Sequence, residues 1–100
     1  MEMASQESVY RLYRHQDVSW VGFGMFFKGL RQRIGLSQER MAHLLHCDRT
    51  YVWKLEHSRH RPSRIFLHNL QQTCPLTAEE NATLRAFVLL RSYGDDLNPE

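Results

Sequence analysis

The strongest constraint on this chain lies between Leu30 and Pro62, where residues that stop and start helices crowd so closely that no other element fits between them. Gly35 ends an apolar run at helical spacing (Phe23, Phe27, Leu30, Ile34), and Ser37, two positions on, is an N-cap residue. Glu39 then falls in the positive first turn, and Met41, Ala42, Leu44 and Leu45 supply a side to bury. Only His46 and Cys47 separate this short helix from the next cap, Asp48. The following helix, Arg49 to about His57, offers Val52 and Leu55 to a core and turns Arg49, Thr50, Trp53 and Lys54 to opposite or flanking faces. A helix, a tight turn and a second helix recur together as a unit that reads nucleic acid.

The rest of the chain is helical by the same signs. There is no internal repeat, low-complexity tract or alternating Val/Ile/Thr strand. Ser5 to His15 puts Val9, Leu12 and Tyr13 on one face with Arg11 and Arg14 toward solvent, a short amphipathic helix or arm. Ser19 can cap the helix that Gly35 stops, although Gly22, Gly24 and Gly29 weaken it. A loop from Ser58 to Pro62 leads to a helix opened by Ser63, bearing Ile65, Phe66, Leu67 and Leu70 and ended by Cys74 and Pro75. Thr77 with Glu80 forms a capping box for a last helix reaching Ser92 or Tyr93, with Gly94 beyond. These signs predict an all-α chain: an N-terminal extension over 1–18, one five-helix domain over 19–94, and a flexible tail over 95–100.

One hundred residues with 42% hydrophobic and 24% charged side chains suit one soluble domain rather than a disordered or membrane-spanning chain. The longest apolar stretch, Trp20 to Phe27, is far short of a bilayer span. The opening MEMASQESVYRLYRH lacks the order of a signal peptide, so a cytoplasmic location is the expectation. Cys47 and Cys74 read as free thiols. The formal charge of +2 is unevenly spread. Residues 1–76 hold eleven cationic and six acidic side chains, a net of +5, whereas residues 77–100 hold two and five, a net of −3. Arg49, Lys54, Arg59, Arg61 and Arg64 face only Asp48 and Glu56 nearby, so this segment is either the footprint for a polyanion or a solvated face.

The run LRQRIGLSQERMAHLLHCDRTYVWKLEHSRHRP, Leu30 to Pro62, resembles the helix-turn-helix family of phage lambda repressor, phage Cro and their bacterial relatives. The likeness is carried by Gly35, Leu36, Ser37, Gln38 and Glu39, then Ala42, then Tyr51, Val52, Leu55 and Glu56. Ala42 must be small where the two motif helices cross, and Val52 and Leu55 plug the reading helix onto the core. The resemblance implies a compact five-helix lambda-repressor-like DNA-binding domain and an ion pair between Arg31 and Glu56. Two departures stand out: His46 in the turn and Ser58 after the glutamate replace glycines usual in the family. A left-handed backbone without glycine costs roughly 1–2 kcal/mol, so His46 is either strained or sits in an altered turn.

In that family the second motif helix enters the major groove. The resemblance therefore implies base contacts from Arg49, Thr50 and Lys54, with phosphate contact or solvent as the alternative for each. It also implies backbone contacts from Gln38, Tyr51, Trp53, Arg59, His60 and Arg61, which position the protein without reading sequence. Trp53 stands where the family has a small polar residue. It either stacks on a sugar-phosphate or a thymine methyl, or tucks against neighbouring helices. A unit this small needs two half-sites, which implies a homodimer on an inverted repeat of double-stranded DNA and, in the simplest case, a repressor of bacterial or phage origin. The last helix is apolar almost all round, and Leu84, Phe87 and Val88 are its candidate dimer residues, unless the N-terminal extension encloses it.

Other classes have less support. His43, His46 and Cys47 cluster, as do His57 and His60, but Cys47 matches a buried apolar position of the family, so no metal and no cofactor are expected. No phosphate loop, nucleophile elbow or paired carboxylates point to an enzyme. The competing reading is an antitoxin or adapter, a module that holds a protein partner through its N-terminal segment or last helix. The aromatic excess of Trp20 to Phe27 keeps that reading open.

Overall fold

The described residues form five helices: α1 (Trp20–Ile34), α2 (Gln38–Leu44), α3 (Arg49–Glu56), α4 (Arg64–Thr73) and α5 (Ala78–Leu97). They belong to a computed structural model that describes residues 20–97, and the described residues contain no strand. The expected extension over 1–18 and the Ser19 cap lie outside the described residues.

Ser37 Oγ accepts the N–H of Arg40 at 3.1 Å to open α2, and Ser63 Oγ accepts that of Phe66 at 3.0 Å to open α4. Before α5 the capping box closes both ways. Thr77 Oγ1 accepts from the Glu80 N–H at 3.0 Å, while Glu80 Oε1 accepts from the Thr77 N–H at 2.9 Å. Asp48 occupies the N-cap of α3, but its carboxylate makes no cap hydrogen bond.

Three helices stop in one way. After α1, Leu36 N–H reaches Arg31 O and Gly35 N–H reaches Gln32 O, the paired bonds of a left-handed stop. After α2 the same pair forms from Cys47 to Ala42 and from His46 to His43, and after α3 from Arg59 to Lys54 and from Ser58 to Leu55. The pivotal residues are Gly35 at φ 88°, His46 at φ 58° and Ser58 at φ 58°. The turn therefore keeps its left-handed form without glycine, and His46 and Ser58 both carry the strain. Gly94, by contrast, stops nothing, because α5 runs through it to Leu97. Glycine permits a left-handed stop but does not impose one.

The core draws on every helix. Phe23, Phe27 and Leu30 of α1 meet Met41, Ala42 and Leu45 at α2, Val52 and Leu55 of α3, Phe66, Leu67 and Leu70 of α4, and Leu84 and Phe87 of α5. The aromatic excess of α1 is spent inside. Phe87 meets Phe23 edge-on at 5.2 Å and packs at 6.0 Å from Trp20 and 5.8 Å from Phe26, while Phe27 meets Phe66 edge-on at 5.4 Å. This corrects the expected dimer face: Leu84 and Phe87 are 0% and 1% exposed within the subunit. Once α5 lies against α1, the stripe that carries them is the core stripe. Val88 stays half-buried, and Leu89 beside it is exposed. Ile65, counted among the apolar residues of α4, is also exposed.

Candidate nucleic-acid interface

Val52 and Leu55 seat α3, and what they bury decides what the helix shows. Both are fully buried, and Glu56 beside Leu55 is turned inward as well. The helix period then directs Thr50, Trp53 and Lys54 outward, with Arg49 at the first turn, and all four are exposed. Arg49, Thr50 and Lys54 make no side-chain hydrogen bond or ion pair among the described residues. Their donors remain for an external acceptor.

A buried polar knot fixes the helix behind this face. Arg31 Nε donates to Glu56 Oε2 at 2.6 Å and Nη2 to Oε1 at 3.1 Å, while Nη1 reaches the Leu36 carbonyl at 2.9 Å. Gln38 Nε2 adds a bond to Glu56 Oε1 at 3.1 Å. The Arg31 side chain is 12% exposed and that of Glu56 1%. The forked bond to Glu56 holds the guanidinium pKa above its ordinary value despite the opposing cost of burial. The carboxylate at the end of α3 thus ties α1 to the first residue of α2, and the guanidinium it holds reaches the loop between them. Gly24 lets α1 come close enough, since a Cβ there would stand 2.7 Å from the Leu55 carbonyl oxygen and 2.9 Å from that of Glu56.

The loop after α3 adds two arginines and a histidine. Arg59, His60 and Arg61 are exposed, and buried Pro62 anchors the segment. Tyr51 is half-buried, its ring edge-on to Phe66 and to His60, each at 5.3 Å. Its hydroxyl accepts the Ser63 N–H at 3.1 Å, which leaves the O–H proton free to donate outward. Trp53 does not tuck against a neighbouring helix. Its ring stacks on His57, centroids 3.9 Å apart and planes at 17°. Sequence reasoning missed His57 as a partner, although the four-residue spacing on one helix was there to read. It also missed the Arg33 and Glu80 pair that joins α1 to α5.

No group of three or more His, Cys, Asp or Glu residues is placed to hold a metal among the described residues. Cys47 and Cys74 are free thiols, and burial pushes both pKa values up, which keeps them protonated and poorly nucleophilic. No described helix is long and apolar enough to cross a membrane.

Neither a curated protein nor a solved structure matches the chain at a significant level. Against known families, residues 23–84 match the helix-turn-helix domain, a span running from the first core phenylalanine of α1 to Leu84 of α5. With α2, the turn at His46 and α3 at its centre, the chain belongs to the helix-turn-helix domain family.

Proposed function

We propose that the protein is a sequence-specific double-stranded DNA-binding regulator of transcription, acting as a repressor by occupying its site. The observation that carries this reading is an exposed, unpaired cationic face on a helix whose opposite side is locked by a buried ion pair. In this reading α3 lies in the major groove. Arg49 and Lys54 donate to guanine O6 and N7, and Thr50 contacts a neighbouring base edge. Tyr51, Arg59, His60 and Arg61 contact phosphates from the flank and the following loop, and Gln38 braces Glu56 from behind.

The protein acts on an inverted repeat as a homodimer. With Leu84 and Phe87 inside the core, the self-association face is the outer side of α5 at Val88 and Leu89. Selection of bound sequences from random duplex DNA at two salt concentrations tests the whole reading. The expected result is a palindromic motif with half-sites about 10 base pairs apart and affinity that falls steeply with salt. No association with any duplex at low ionic strength would refute it.

A further inference from the structure

Among the described residues of α3, Trp53 is the exposed large apolar side chain, with 40% of its surface open. It shares the outward half of the helix with Thr50, three residues before it, and Lys54. An exposed ring ordinarily samples several rotamers, but this one has a stacking partner on its own helix. His57 lies flat against it, and His57 Nδ1 sits 2.9 Å from the Trp53 carbonyl oxygen. A carbonyl only accepts, so Nδ1 carries the proton and the imidazole is pinned to the turn that bears the indole. The ordering cost of the indole is incurred on folding rather than on binding.

Base edges in the major groove present hydrogen-bond donors and acceptors, for which the indole carbons have no use. The exception is the C5-methyl of thymine, an apolar group. We propose that Trp53, positioned by His57, reads a thymine C5-methyl and makes a T·A pair a determinant of the site. This rests on the DNA-binding reading above and adds to it a base identity that Arg49 and Lys54 do not supply.

Uracil in place of thymine deletes the methyl while keeping the base pair and the O4 acceptor. Each thymine of a selected duplex is replaced in turn, and affinity is measured with the full chain and with Trp53→Ala, Trp53→Gln, His57→Ala and His57→Phe. The wild type should lose about fourfold at one thymine per half-site, as expected for one buried methyl. Both Trp53 variants should be indifferent to that replacement. His57→Ala should lose most of the discrimination and His57→Phe, which keeps a flat ring, should retain it. Thermal melts report whether each variant is folded. The proposal is overturned if no thymine is sensitive in the wild type, or if the Trp53 variants feel the same uracil penalty. It is also overturned if they weaken specific and random duplexes alike, which would assign the indole to the sugar-phosphate backbone. Failure to bind any duplex would overturn the DNA-binding reading itself, whereas binding without a sensitive thymine overturns this inference alone.

Discussion

Arg31 and Arg33 leave α1 two residues apart and build nearly the same device on opposite sides of it. Each grips a glutamate with two nitrogens and a backbone carbonyl with a third contact: Leu36 for Arg31, Pro75 at 2.7 Å for Arg33. Each glutamate takes a further donor, Gln38 Nε2 for Glu56 and the Thr77 N–H for Glu80. What differs is water. The Arg31 and Glu56 side chains are 12% and 1% exposed, those of Arg33 and Glu80 42% and 18%. Where water is excluded, a lost partner leaves a charge that nothing else can solvate; where water enters, it takes the partner's place. The motif side of α1 is therefore the brittle side, and the α5 side is the tolerant one.

The largest break should come from Glu56→Ala, which strands the Arg31 guanidinium and the Gln38 amide. Urea denaturation should show a loss of about 3–5 kcal/mol, a large part of the stability of a domain this size. Gly24 and Gly29 repeat the contrast within α1. A methyl at Gly24 collides with two carbonyls of α3, so Gly24→Ala should cost about 1–3 kcal/mol. Gly29 has nothing within 4 Å of its added Cβ, and Gly29→Ala should stabilise by about 0.5–1 kcal/mol through helix propensity alone. A gain at Gly24 would show that the close approach of α1 to α3 has been misjudged.

The left-handed stops sharpen the same picture. Gly35 is relaxed, whereas His46 and Ser58 hold φ 58° with full side chains. Replacing either with glycine should raise stability by about 0.5–1 kcal/mol, because the relief of strain exceeds the extra entropy lost on folding. Calorimetric melting of each single variant and of the double variant checks this, and the two gains should add.

The smallest effect belongs to the exposed pair. Arg33→Ala should lower Tm by less than about 4 °C. Arg33 holds the Glu80 carboxyl below the usual carboxylate range, so the stability this pair contributes is present above the unfolded carboxylate pKa and is lost as acid protonates Glu80. As the pH falls below the unfolded carboxylate pKa of about 4.3, Glu80→Gln should therefore lose less stability than the wild type does. An equal acid loss in both would remove Glu80 from the account.

Much of this was legible in the residues because it is local. Ser37, Ser63 and the Thr77 and Glu80 box cap as their types dictate, and Gly35 stops α1. The match of Arg31 to Glu56 was available through resemblance, not through spacing. What depends on which faces pack could not be read. The nearly all-round apolar character of α5 concealed which stripe the core would take, so Leu84 and Phe87 went to the wrong side. Gly24 looked like a weakness because its contact lies in another helix. The Arg33 and Glu80 pair spans 47 residues, and only the packing of α5 beside α1 brings its ends together. Propensity alone would bar His46 and Ser58 from the left-handed region, yet the hydrogen bonds of two helix ends hold them there.

The face turned away from the Arg31 and Glu56 knot is tested most directly by measuring Arg49→Ala on a selected duplex, on single-base variants of it and on random DNA. The expected outcome is a loss of about 1–3 kcal/mol confined to one base pair, with affinity for random DNA nearly unchanged. A uniform loss on every sequence, or none at all, would contradict the assignment of α3 as the element that reads the groove.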